Sequence, residues 1–103
     1  MALFHSLMRY KDNGLIQWFD MFEDDRAEIH LSNGDSYVVF MNSQYIVGES
    51  VVDEANDEDN PADYIIYNTW DQVASSAKRH AENCDISMVS FGRFSRILEE
   101  LND

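Results

Sequence analysis

The dipeptide Asn33-Gly34 stands between two alternating runs in Ala27–Met41 and is the strongest local constraint in this 103-residue sequence. Asn-Gly supplies the positive φ angles of a type I′ turn, so the spacing predicts a β-hairpin with a two-residue loop. Such a loop pairs Ile29 with Val38, His30 with Tyr37 and Leu31 with Ser36. Ala27, Ile29, Leu31, Val38 and Phe40 then share one face, which reads as core, while Glu28, His30, Tyr37, Val39 and Met41 share a mixed one. An isolated hairpin is at best marginally stable in water, so a fold for this chain has to build it into a larger sheet.

The remaining pattern supplies partners. Tyr64–Tyr67 reads as a short strand, and Tyr45–Val47 and Val51–Val52, flanking Gly48, as one bent strand or two short ones. Ala55–Ala62 is polar, acidic and interrupted by Pro61, which reads as a loop. The connections look too short for helical crossovers, which predicts antiparallel pairing. Leu3, Phe4, Leu7 and Met8 have helical spacing over a short stretch. Asp12 and Asn13 offer an N-cap, and Leu15, Trp18, Phe19 and Phe22 follow at i, i+3, i+4 and i+7, predicting an amphipathic helix. A strand through Ile16, Trp18 and Asp20 is the alternative. Thr69 to Gln72 has capping-box spacing ahead of the stripe Trp70, Val73, Ala74, Ala77 and Ala81, with Asn83 as the stop. Ile86–Val89 fits a short strand or a helix start, and Ser90 caps a last helix with the stripe Phe94, Ile97, Leu98 and Leu101. The sum is one domain over residues 1–103 of the α+β class. It has an N-terminal helix, a small antiparallel sheet of four to five strands, and two C-terminal helices over one sheet face. A helix followed by a strongly bent small barrel is compatible with the same order.

Charge is the functional signal. The chain carries 20 acids against 7 Lys+Arg, a formal charge of −13. Residues 12–77 hold 15 of the acids and a single base, Arg26, whereas the two ends are nearly balanced. Two runs dominate: Asp20, Glu23, Asp24 and Asp25, then Glu49, Asp53, Glu54, Asp57, Glu58, Asp59 and Asp63. Such a field repels a polyanion, which argues against direct nucleic-acid binding. Salt adaptation explains it poorly, because the acids cluster instead of coating the whole chain. No apolar run is long enough to span a membrane, and no secretion signal is legible at the N-terminus, so a cytoplasmic protein is expected.

Signatures of catalysis are missing. There is no phosphate-binding loop, dinucleotide fingerprint, nucleophile elbow or zinc-ligand spacing. Cys84 is a lone thiol, read as a small packed residue. His5, His30 and His80 show no repeated spacing, and His30 with Glu28 and Tyr37 reads as a cross-strand surface cluster in preference to an acid–base group. Asp57, Asp59 and Asp63 match a calcium loop only loosely: the turn glycine and terminal bidentate Glu are missing, and Pro61 takes a ligand position. A non-enzymatic protein without cofactor or metal is therefore expected.

A compact scaffold presenting rows of carboxylates fits a basic groove built for nucleic acid. Alternate residues on a strand lie about 6.6 Å apart, comparable with phosphate spacing. This predicts a decoy that occupies the basic nucleic-acid-binding surface of a partner protein through the eleven acids of the two runs. The mode is that of DNA-mimic inhibitors of the anti-restriction and anti-CRISPR kind; the likeness is one of size, charge and compactness. The alternative is a small adaptor or immunity/antitoxin-type protein. It would bind one specific protein through the His30–Tyr37–Val39 face or the helix bearing Trp18. A homodimer formed through an uncovered sheet face is a third expectation.

Overall fold

The computed structural model describes residues 3–41, 46–68 and 72–102. The elements in chain order are α1 (Leu3–Asp12), β1 (Trp18–Glu23), β2 (Arg26–His30), β3 (Ser36–Met41), β4 (Ile46–Val47), α2 (Glu49–Ala55), β5 (Tyr64–Tyr67), β6 (Gln72–Val73), α3 (Ser75–Asn83), β7 (Ser87–Ser90) and α4 (Phe91–Leu101). Five strands form the main sheet in the order β1-β2-β3-β5-β7, and β4 and β6 make a separate parallel pair. The α+β class, the N-terminal helix, the two C-terminal helices and the strand number agree with the sequence reading.

The sheet is mixed, not antiparallel throughout. β1, β2 and β3 form an antiparallel meander, whereas β3–β5 and β5–β7 pair in parallel. Parallel neighbours require crossovers, and α2 and α3 lie in them. Val51 and Val52 belong to α2, not to a strand. Its N-cap, Gly48, offers no side-chain hydrogen bond, so the start of this seven-residue helix carries little sequence signal. The helix is held instead by burial of Val51, Val52 and Ala55.

Two packed layers result. On one face α1 and α4 bury Leu3, Leu7, Phe94 and Leu98 against Phe19, Ile29, Val39, Ile66 and Val89. On the other, α2, α3 and the β4–β6 pair bury Val47, Val52, Ala77 and Ala81 against Phe40 and Ile65. The two C-terminal helices therefore lie on opposite faces. Alternation along β3 and β5 explains why: Val39, Met41 and Ile66 feed one core, and Phe40 and Ile65 feed the other.

The N-terminal helix sits earlier than the Leu15–Phe22 stripe predicts. Asn13-Gly14 is a stop signal and not a cap for a new helix. Gly14 adopts φ +77°, its N–H donates to the Lys11 carbonyl at 3.1 Å, and the Leu15 N–H donates to the Tyr10 carbonyl at 2.9 Å. That pair of bonds is a Schellman motif closing α1. The chain then enters β1, where Phe19 points inward at 7% exposure while Trp18 and Phe22 are 53% and 41% exposed. α3 closes the same way, with Asp85 at φ +59° and the Ile86 N–H on the Ala81 carbonyl at 2.9 Å. Gln72 and Val73 lie in β6, so the capping-box helix start is displaced to Ser75. Thr69 and Trp70 lie outside the described residues, as does Tyr45.

The Asn33-Gly34 hairpin exists, but its register differs by one residue. Ile29 faces Tyr37 and His30 faces Ser36. The Gly34 N–H donates to the Leu31 carbonyl at 3.1 Å, the Leu31 N–H donates to the Asp35 carbonyl at 2.8 Å, and Gly34 has φ +97°. This is a three-residue loop, a type I turn followed by a left-handed glycine, in place of a two-residue type I′ turn. The Asn33 Oδ1 accepts from the Asp35 N–H at 3.0 Å and holds the turn. A one-residue slip exchanges the faces of one strand relative to the other. Ala27, Ile29 and Leu31 therefore share their side with Tyr37, Val39 and Met41, and Val38 and Phe40 pack in the opposite layer.

Candidate acidic interface

The two acidic runs, distant in sequence, meet through the one base between them. Arg26 opens β2 immediately after the Asp24–Asp25 turn and is only 3% exposed. Its Nη1 donates to the Ala55 carbonyl at 2.8 Å and to the Asn60 carbonyl at 2.7 Å, and its Nη2 donates to the Glu54 carbonyl. The guanidinium lies over the Phe40 ring, 4.9 Å from its centroid. Glu54 and Ala55 are the last residues of α2, where the helix dipole is negative, so a cation is favoured there. Among the described residues, Arg26 thus pairs with no carboxylate. It staples the end of α2 and the 56–60 segment to the β1–β2 turn, and the Met41 N–H fixes the turn further by donating to the Asp25 carbonyl at 2.8 Å.

The eleven predicted acids divide around this staple. Glu23 ends β1, Asp24 and Asp25 form the turn, and Asp57, Glu58 and Asp59 lie in the stapled segment. These six, with Glu54 at the end of α2, are brought to one region. The others have separate surroundings. Asp53 is 2.7 Å from His80 of α3, and Glu49 begins α2 at its far end. Asp63 turns back to its own fold, its Oδ2 accepting from the Val38 N–H at 2.8 Å. Asp20 lies on the sheet face 3.0 Å from His30. Among the described residues, no single strand carries a ladder of alternating carboxylates; the acids cluster on turn and loop instead. Among the described residues, no lysine or arginine comes within 4.0 Å of a carboxylate, and the close pairs all use histidine.

Beside the acids lies an apolar margin that the helical reading of Trp18 hid. β1 is an edge strand, and Phe4, Trp18 and Phe22 are the large apolar side chains most exposed among the described residues. Phe4 meets Phe19 edge-on at 5.8 Å, Trp18 stacks on Phe19 at 6.1 Å, and Lys11 Nζ stands 4.9 Å from the Trp18 ring centroid. Period-2 alternation in Trp18–Glu23 was the available signal, obscured because the aromatics at 18, 19 and 22 also fit a helical stripe. The His30–Tyr37–Val39 face does not form, because the register places Tyr37 and Val39 in the α1–α4 layer while His30 faces Asp20 and Glu28.

Two tyrosines on the buried side titrate high. Burial pushes Tyr10 upward, opposed by the positive charge of Arg9. Burial, then the neighbouring Tyr37 and the Asp63 carboxylate, push Tyr64 upward. Both rings pack edge-on against Phe94, at 5.9 and 5.5 Å. Both pack with the core beneath α1 and α4. Among the described residues, no helix is long and apolar enough to cross a membrane. No protein-family model, curated protein or solved structure matches the chain.

Proposed function

We propose that this chain is a non-catalytic acidic protein that seats on the basic nucleic-acid-binding surface of a partner protein, as DNA-mimic inhibitors of the anti-restriction and anti-CRISPR kind do. The observation that carries the reading is the Arg26 staple. A buried guanidinium, carried at the end of the first acidic run, is committed to three backbone carbonyls of the second and so holds the two segments side by side, while among the described residues no lysine or arginine side chain pairs with their carboxylates. Acids needed only for solubility have no requirement for a fixed mutual position. Acids that must match a cationic groove do, because preorganisation lowers the cost of ordering at binding. Complementary charge then accelerates encounter and selects the partner.

The test is capture from a nuclease-treated lysate followed by competition. Duplex DNA or structured RNA should release the captured protein. Affinity should fall by more than about tenfold between 50 and 200 mM salt, as expected when several cationic groove side chains exchange counterions. The triple variant Glu23→Gln, Asp24→Asn, Asp25→Asn should lose capture, while Glu49→Gln should retain it. Salt-indifferent binding that nucleic acid cannot displace would overturn the reading. A second reading, an adaptor or immunity-type protein docking by a mixed apolar–acidic margin, is favoured by the exposure of Phe4, Trp18 and Phe22. In that case Trp18→Ser and Phe22→Ser cost more binding than the acid substitutions.

A further inference from the structure

We propose that Asp20, Glu28 and His30 form a binding site for a divalent transition-metal ion of the zinc class on the solvent-open part of the β1–β2 ribbon. The site is built by pairing. Asp20 stands directly opposite Glu28 in the antiparallel ladder, and His30 lies two residues further along the same face of β2. Two carboxylates in register across a strand pair repel each other, and here they do so in a chain of net charge −13. Something positive between them stabilises the arrangement.

The donor atoms converge where an ion would sit. His30 Nε2 is 3.0 Å from Asp20 Oδ2 and 3.4 Å from Glu28 Oε1. One donor atom from each of the three residues lies within 4.8 Å of the other two. Metal–ligand bonds of about 2.0–2.2 Å place neighbouring ligands about 2.8–3.6 Å apart, from octahedral to tetrahedral geometry. A single Nε2–H cannot serve two carboxylates fully, whereas a dication with a neutral imidazole satisfies all three groups and cancels both negative charges. Trp18 supplies an outer support: its indole Nε1–H donates to Asp20 Oδ1 at 3.2 Å, which leaves Oδ2 turned to the cluster. The imidazole selects the metal class. One nitrogen and two carboxylate donors suit Zn²⁺ or Co²⁺, while Ca²⁺ requires six to eight oxygens and Mg²⁺ retains its water shell. All three residues are partly or fully open to solvent, so outward coordination positions remain for water or for a donor from another molecule.

The 103-residue chain in a Trp70→Phe background leaves Trp18 as the sole indole and hence as the reporter. Titration with Zn²⁺ and with Co²⁺ should give saturable 1:1 binding by calorimetry, a change in Trp18 fluorescence, and for Co²⁺ visible d–d bands. His30→Gln, Asp20→Asn and Glu28→Gln should each weaken binding more than about tenfold. Ca²⁺ and Mg²⁺ at the same concentration should not compete. His80→Gln is the control, because His80 with Asp53 is the other histidine–carboxylate contact among the described residues; it should bind as the parent does. Binding that survives His30→Gln, binding lost in His80→Gln, or no saturable binding by the folded parent overturns the proposal. Circular dichroism of each variant separates loss of a ligand from loss of fold.

Discussion

The two halves of the main sheet obey different rules. In the parallel half, β3, β5 and β7 are covered on both faces, and β5 reads Tyr-Ile-Ile-Tyr with both isoleucines fully buried. In the antiparallel half, β1 and β2 are covered by α1 and α4 on one side, the other side is covered only at Arg26, where the end of α2 closes over the start of β2, and β1 alternates exposed Trp18, Asp20 and Phe22 with inward Phe19 and Met21. Parallel strands come with crossover helices that bury both faces, whereas a meander needs cover on one. The half that requires no crossover keeps a face free for chemistry, and the free histidine–carboxylate cluster and exposed aromatics are found there.

Substitution should separate the halves most sharply at their centres. Ile65→Ala removes a fully buried side chain from the doubly covered half and should cost about 3–4 kcal/mol in urea denaturation, whereas Trp18→Ser on the open half should stay within about 1 kcal/mol. Equal costs would mean that the β1 face is covered in solution. Next in size, Arg26→Met removes the donor to the Glu54 and Asn60 carbonyls, leaves the Ala55 carbonyl with the Ala62 N–H alone, and should destabilise by about 2–3 kcal/mol. It should also raise amide exchange in residues 54–60 more than in the β5–β7 ladder. Uniform loss of protection would show that the staple supports the whole fold and not the junction between its parts.

The smallest effect concerns pH. The folded-state value of Tyr64 lies above its ordinary 10.0, so the folded chain holds that phenolic proton more tightly than the unfolded chain. Its contribution is complete below about pH 10 and is lost as pH rises through the folded value. Tyr64→Phe should therefore flatten the fall in stability above pH 10 and leave the neutral-pH curve nearly unchanged. A parallel decline in both proteins would assign the alkaline transition to other groups, Tyr10 first among them.

The same contrast explains what was legible in the residues. Composition and periodicity recover the class, the hairpin, β5 and the last helix, because Asn33-Gly34, Tyr64–Tyr67 and the Ser90-capped stripe each point one way. The stretch Leu15–Phe22 misleads because consecutive aromatics satisfy both periods, and only Gly14 at positive φ separates stop from start. Hairpin register depended on whether Asn33-Gly34 fills a two- or three-residue loop, a difference that dipeptide identity does not carry. Of the site, the acidic residues are visible and their grouping is not. The bonds that gather them run from Arg26 to backbone carbonyls nearly thirty residues or more away, and carbonyls have no letter code.

The outer rim of β1 has one more consequence. A strand end with open backbone groups and bare Trp18 and Phe22 is the kind of surface on which identical molecules coalesce into extended sheets. Glu23, Asp24 and Asp25 terminate that rim, so approaching copies present like charge to like charge. Carboxylates in that position are of the kind that guards an edge strand against self-growth. Protonating or screening them should therefore ease the pairing of β1 with another copy of the same strand.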